Sequence, residues 1–132
     1  MDTTYPVFVA EIQPTYVELF AYASQEQVEG HLEAWDVENG EYTAWDANGV
    51  LFTLEVDYAL PERHWLKMTC TGQDDLERFL GTLRRYAVTH PREAQSEAAE
   101  GDWPQALRDE VERALAEAPA KPERRQRWWW PW

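Results

Sequence analysis

Short runs rich in Val, Phe, Tyr and Leu, several of them alternating with polar residues, recur along the first 70 residues. This spacing is typical of β-strands that bury one face. The pattern predicts strands over residues 5–12, 15–23, 41–46, 50–57 and 64–70. Asn48 and Gly49, between the third and fourth runs, are a strong signal for a tight hairpin. We therefore expect a mostly antiparallel five-stranded sheet.

Helical spacing of apolar residues predicts three helices. Ser24 followed by Gln27 is a capping-box pattern that begins a helix over residues 25–35. The longest apolar stripe predicts a second helix over 73–88, which Pro91 ends.

The third predicted helix follows Asp102, which we interpret as its N-cap, and residues 91–101 are predicted to be a polar connection. The order β-β-α-β-β-β-α-α is an α+β fold in which helices pack on one face of the sheet. Residues 1–117 are predicted to form this single domain, and 118–132 a Pro-punctuated linker with a basic, Trp-rich C-terminal tail.

Composition indicates a folded protein. The 132 residues are 44% hydrophobic and 14% aromatic, which is unlike a disordered acidic chain. The one cysteine, Cys70, allows no internal disulfide. Neither a basic, apolar leader nor a run of membrane-spanning length is present, so we expect a cytoplasmic protein.

Charge is divided unevenly along the chain. No Lys or Arg precedes Arg63, whereas thirteen Asp and Glu residues do; the remaining twelve acids are balanced by twelve basic residues. An acidic half without cations of its own projects a negative field, which attracts basic proteins and repels nucleic acid. We therefore expect a basic protein partner, and no nucleic acid.

The first predicted helix carries a line of carboxylates. Glu29 and Glu33 are an i,i+4 like-charge pair, and Asp36 is expected just past the helix end, where it opposes the helix dipole. A pattern that lowers local stability favours a binding surface, although a merely solvated acidic face is the alternative. Trp35 and Trp45 flank this region as binding anchors or as core residues. The predicted partner-binding residues are Glu26, Glu29, Glu33, Asp36, Glu38, Glu41, Trp35 and Trp45.

The C-terminal segment 124–132 combines arginine with tryptophan. Such a tail is expected to dock on the chain's own acidic half or on a second copy, giving a homodimer. Insertion into a pocket of the partner is a second interpretation, and contact with a membrane interface is disfavoured because anionic lipid repels the acidic domain. The predicted tail contacts are Arg124, Arg125, Arg127, Trp128, Trp129, Trp130 and Trp132.

Signals for catalysis are weak. His31, His64 and His90 have no metal-ligand spacing with Cys70, and the sequence contains no phosphate-binding loop or nucleophile elbow. We expect no catalytic residues, metal or cofactor.

In its size, its acidity and its lack of catalytic motifs, the chain resembles the cognate immunity proteins with which bacteria neutralise basic toxins. The resemblance implies an inhibitor that covers the cationic active site of a toxin such as a nuclease. One alternative is an effector-specific secretion chaperone or adaptor, which would dimerise and expose an apolar groove. The other is an enzyme of unknown type, which would have a deep pocket lined by titratable side chains.

Overall fold

The computed structural model describes residues 3–118, which contain a five-stranded antiparallel sheet. The spatial order of the strands is β2-β1-β3-β4-β5, so β2 and β5 are the edges. The α+β class and the antiparallel sheet are confirmed, and each predicted strand is present with ends shifted by a few residues. The strands are β1 Val7–Ile12, β2 Val17–Tyr22, β3 Tyr42–Trp45, β4 Val50–Val56 and β5 Leu66–Asp74.

Five α-helices lie in the described part of the chain, where the sequence predicts three. A single 3-10 turn, Glu62–His64, lies between β4 and β5. The α-helices are α1 Gln25–His31, α2 Ala34–Glu38, α3 Leu76–Thr89, α4 Pro91–Glu100 and α5 Gln105–Glu117.

The single helix predicted over residues 25–35 is wrong, because the chain turns between α1 and α2. Leu32 and Glu33 both have extended backbone angles, and Leu32 is buried beside Val28 and Val37 in one apolar cluster. A straight helix would not direct all three side chains into that cluster, whereas the turn does. Asp36 consequently lies in the first turn of α2, where a carboxylate is favoured by the helix dipole and does not oppose it.

Both faces of the sheet carry a core, since alternate residues of β1, β2 and β3 enter different apolar clusters. The buried residues of β5 belong to the second cluster alone. On the first face, Phe8 packs edge-to-face on Trp103, with ring centroids 4.9 Å apart, in a core completed by α3, α4 and α5. This layer is the predicted helical layer. On the second face, Val9 and Met68 pack beneath α1 and α2. The sequence predicts helices on one face of the sheet, whereas the structure has the short helices α1 and α2 on the second face as well.

The polar connection predicted over 91–101 is wrong, since α4 occupies it. Ala94 and Ala98, one helical turn apart, are the buried residues of α4. Alanine is only weakly hydrophobic, so these two residues do not form a recognisable apolar stripe in the sequence. The predicted N-cap role of Asp102 is wrong as well: its backbone is left-handed, at φ 55°, and Pro104 precedes the first residue of α5.

Candidate functional site

A groove opens on the second face of the sheet, between the α1–α2 turn and the connection from β4 to β5. Its volume is about 840 Å³, within the range of ligand-binding clefts. Glu33 and Trp35 line one side, and Tyr58, Glu62 and Trp65 line the other. We call this feature the Trp35 groove.

Trp35 is the most exposed large apolar side chain in the described residues, at 65%. Its indole Nε1 donates a hydrogen bond to Glu33 Oε2 over 3.1 Å, which ties the ring to the residue at the start of α2. The core interpretation is therefore wrong for Trp35. Trp45 is fully buried and donates from Nε1 to Asp75 Oδ2 over 2.8 Å, so its predicted role as a partner-binding anchor is wrong and its core role is confirmed.

The opposite side of the groove is an aromatic loop. The Tyr58 and Trp65 rings meet edge-to-face with centroids 4.9 Å apart, and Trp65 Nε1 donates to the Leu60 carbonyl over 2.8 Å. Tyr58 and Leu60 remain largely exposed, at 46% and 43%. Desolvation and, after it, the nearby Glu38 carboxylate raise the pKa of Tyr58, so α2 and this loop are neighbours.

Glu29, which the sequence predicts to be a partner-binding residue, has a structural role as well. Its Oε2 accepts hydrogen bonds from the Met68 backbone N–H, at 2.9 Å, and from Gln25 Nε2, at 3.0 Å. Gln25 Nε2 also donates to the Met68 carbonyl over 2.9 Å. These bonds fasten α1 to the free edge of β5.

His31, which also lines the Trp35 groove, is paired with a tyrosine. Its Nδ1 lies 2.5 Å from the hydroxyl of Tyr22. Burial, followed by the influence of Tyr42, raises the pKa of Tyr22 to about 12. The Tyr22 hydroxyl therefore stays protonated at neutral pH and is available to donate to the His31 ring.

A second acidic area adjoins α2, at the end of the sheet where β1 pairs with β3. Desolvation and then the Asp36 and Glu11 carboxylates raise the pKa of Glu41. Tyr42 has a raised pKa as well, from desolvation and then from Glu11 and Asp36. Glu11 was missed by the sequence analysis, since only the register places it opposite both Glu18 and Tyr42.

The predicted acidic residues therefore divide into separate positions. Glu33 lines the groove, Glu38 approaches Tyr58 beside it, and Asp36 and Glu41 lie in the adjoining acidic area. Glu26 is exposed in the first turn of α1. The seven predicted tail contacts lie outside the described residues.

The carboxylates that precede Arg63 are not neutralised by the arginines of the described domain. Within residues 3–118, the Arg ion pairs join Arg78 to Asp75, Arg108 to Asp102, and both Arg84 and Arg113 to Glu110. A carboxylate of the acidic half makes one long contact with a histidine, 3.9 Å from Glu18 Oε1 to His90 Nε2. The carboxylates of the acidic half therefore have no arginine partner among the described residues.

Comparison with known proteins gives no relative: no protein-family model, no curated protein and no solved structure matches the chain. None of the helices between residues 3 and 118 has the length and apolar character needed to cross a membrane. The same residues contain no group of three or more His, Cys, Asp and Glu side chains placed to hold a metal ion.

Proposed function

We propose that the chain is an acidic protein-binding inhibitor that covers the cationic surface of a basic protein. The observation that supports this most directly is the combination of unneutralised carboxylates with the exposed ring of Trp35 in one groove. Tryptophan is among the residues that contribute most to protein interfaces. An exposed tryptophan surrounded by carboxylates fits a partner that presents positive charge around an apolar contact.

The two features have different roles in binding. Long-range attraction from the acidic half accelerates encounter by roughly 10- to 1,000-fold and weakens as salt is added. Trp35 and Tyr58 then provide apolar area that is removed from water when the partner docks, which slows dissociation. Glu33 and Glu38 lie in or beside the groove and select a cationic partner, and Asp36 and Glu41 extend the negative charge into the adjoining acidic area.

The most specific form of the proposal is a bacterial immunity protein, acting in the cytoplasm, that neutralises a cognate basic toxin such as a nuclease. Its support is the low pI of about 4.5 and the solvent-facing carboxylates. A nuclease active site is cationic because it binds phosphate, so an acidic surface is its natural complement.

A second candidate function is a chaperone or adaptor for a secreted effector. The observation that favours it is the exposure of Trp35, Tyr58 and Leu60 beside one groove, since an extended client needs apolar contacts. This candidate predicts a dimer in gel filtration and a client held in extended form, whereas the inhibitor predicts a one-to-one complex with a folded, active partner.

The decisive experiment combines affinity capture with a functional assay. The full chain is immobilised, captured basic proteins are identified, and each is purified and assayed for activity with increasing amounts of the chain. We expect inhibition that is complete at one equivalent, and growth rescue when the chain is expressed together with its partner. The double variant Glu33→Gln/Glu38→Gln should weaken inhibition at low salt by about tenfold or more.

The matched control is Glu112→Gln/Glu117→Gln, which removes two exposed carboxylates from α5 on the other side of the sheet. It should leave inhibition nearly unchanged. Equal inhibition by both double variants, with no dependence on salt, would show that the proposed surface is wrong.

A further inference from the structure

We propose that the Trp35 groove receives an arginine side chain from the basic partner. This inference rests on the proposed function and specifies the group that the groove recognises. The groove is lined by Glu29, Glu33 and Glu62, with Arg63 as the opposing cation. Glu29 is held in place by two hydrogen bonds, from Met68 and Gln25, whereas Glu33 accepts one, from the Trp35 indole. Glu33 and Glu62 are therefore the carboxylates that we assign to an incoming cation.

The Trp35 indole is exposed and held in a fixed orientation, which favours cation binding on its face. An exposed tryptophan face attracts cations through its negative quadrupole, and tryptophan is the strongest aromatic residue in this respect. Its N–H is already donated to Glu33, so the ring is oriented by an anion. A partner cation that stacks on the ring therefore also approaches that carboxylate.

Arginine fits this arrangement better than lysine. Its flat guanidinium stacks on an aromatic ring and at the same time donates in-plane hydrogen bonds to a carboxylate, whereas an ammonium is a compact, strongly hydrated charge. Only Oε2 of Glu33 bonds to the indole, so Oε1 remains available as an acceptor. The Tyr58 ring, beside Glu38, supplies an aromatic surface on the opposite side.

Arg63 provides a direct test of charge recognition. It lines the same groove and belongs to none of the ion pairs found among residues 3–118. Its positive charge therefore opposes an incoming guanidinium. Arg63→Gln should strengthen binding of a cation but should not affect docking of an uncharged apolar segment.

The experiment uses the full chain labelled with ¹⁵N at tryptophan, and the probe is acetyl-Gly-Arg-Gly-amide. The Trp35 indole N–H signal is assigned by its disappearance in Trp35→Phe. We expect the peptide to shift this signal in a saturable manner. The citrulline analogue, which is isosteric but uncharged, should bind at least about tenfold more weakly, and the lysine analogue several-fold more weakly.

Variants extend the test. Glu33→Gln keeps an acceptor for the indole N–H but removes the charge, and it should weaken arginine binding by roughly three- to tenfold. Arg63→Gln should strengthen it by a few-fold. Glu55→Gln is the matched control, because Glu55 is exposed on β4 and points to the sheet face opposite the groove. It should leave arginine binding unchanged.

Three results would overturn the inference. Equal binding of the arginine and citrulline peptides would show that the groove is not selective for charge. A Trp35 signal that never responds would show that arginine does not enter. Cross-peaks between the Trp35 indole and the tryptophans of residues 128–132 would show that the chain's own tail is the occupant. If any of these is found while salt-dependent inhibition of the captured partner persists, the groove assignment fails and the proposed function stands.

Discussion

Asp46 is a buried carboxylate that joins the start of the chain to the β3–β4 hairpin. It is only 2% exposed, whereas the charge pattern of the sequence predicts that the acids of the N-terminal half lie on the surface. Its Oδ1 accepts from the backbone N–H groups of Asn48 and Val50, at 2.8 and 3.0 Å, and its Oδ2 accepts from that of Thr4, at 3.2 Å. Three donors compensate for the burial of the charge.

Replacing Asp46 is therefore expected to be costly. Asp46→Ala leaves three backbone donors without their acceptor and should lower the free energy of unfolding by about 2–4 kcal/mol, measured by urea denaturation. Asp46→Asn retains one carbonyl oxygen for two of the donors and should lose less. Equal losses in the two variants would contradict this account of the bonding.

Tyr22 gives the domain a dependence on alkaline pH. Its pKa is raised from 10.0 to about 12 in the folded chain. The unfolded chain therefore releases the phenolic proton first, so the contribution of Tyr22 is complete below about pH 10 and is lost as the pH rises toward 12.

The predicted loss from Tyr22 is on the order of 2 kcal/mol across that interval. Urea denaturation of the full chain at about pH 9 and about pH 11.5 measures it. Tyr22→Phe lacks the titrating group and should show a smaller fall between the two conditions. A fall as steep as that of the wild type would assign the effect to other groups.

At the scale of elements, Gly49 is the point where the β3–β4 hairpin touches α3. Its φ is +81°, and a Cβ at this position would lie 2.6 Å from the Cα of Leu76. The Gly49 carbonyl also accepts the Asp75 N–H over 2.9 Å, at the residue that precedes α3. The hairpin and the helix therefore meet through backbone, with no room for a side chain.

Gly49→Ala is expected to combine backbone strain with this clash and to lower the free energy of unfolding by more than about 3 kcal/mol. Gly40→Ala is the matched control, because Gly40 has a similar φ of +75° but open space around it. Strain alone costs about 1–2 kcal/mol there. Urea denaturation of the two variants separates backbone strain from the clash with Leu76. Similar losses of unfolding free energy in the two variants would show that Leu76 moves aside at no energetic cost.

The sequence predicted best those elements that have strong local signals. The Asn48–Gly49 hairpin and α3 were predicted because turn chemistry and a wide apolar stripe act locally. The Ser24 capping pattern is confirmed, with Ser24 Oγ accepting from the Gln27 N–H over 3.2 Å. The α1–α2 turn was missed because burial of Leu32 and Val37 against the sheet, which is a tertiary effect, decides it.

For the candidate site, the sequence indicated charge but not geometry. It identified Glu33, Glu38 and Trp35 as partner-binding residues, and these lie in or beside the groove. It did not identify Tyr58, Glu62 or Trp65, because the groove forms only when the β4–β5 connection meets the α1–α2 turn. The hydrogen bonds of Glu29 to Met68 and of Trp45 to Asp75 were not predicted, because nothing local in the sequence shows these partners.

At the scale of the whole molecule, the acidic half brings like charges close together in the folded domain. Desolvation, followed by the Asp36 and Glu11 carboxylates, raises the pKa of Glu41. A carboxyl whose pKa is higher in the folded chain takes up its proton there first. Its unfavourable contribution therefore lessens as the pH falls from neutral through that pKa.

Glu41→Gln is expected to raise the urea midpoint at low salt and neutral pH, since it removes one member of a repulsive group. The gain should shrink in about 1 M NaCl, where charges are screened beyond about 3 Å. Glu55→Gln is the control, because Glu55 lies opposite Lys67 in the β4–β5 register and its loss removes an attraction. A gain for Glu41→Gln that salt does not diminish would exclude repulsion as its cause.

The attachment of α1 to Met68 has a consequence for how copies of the chain associate. Gln25 and Glu29 occupy both main-chain groups that Met68 would otherwise offer to a sixth strand. The two side chains take the hydrogen-bonding positions of one residue of a neighbouring strand. This point of the sheet edge is therefore not open to pairing with another strand. While these bonds are in place, a second copy of the chain has no main-chain donor or acceptor to pair with at Met68, in the middle of β5.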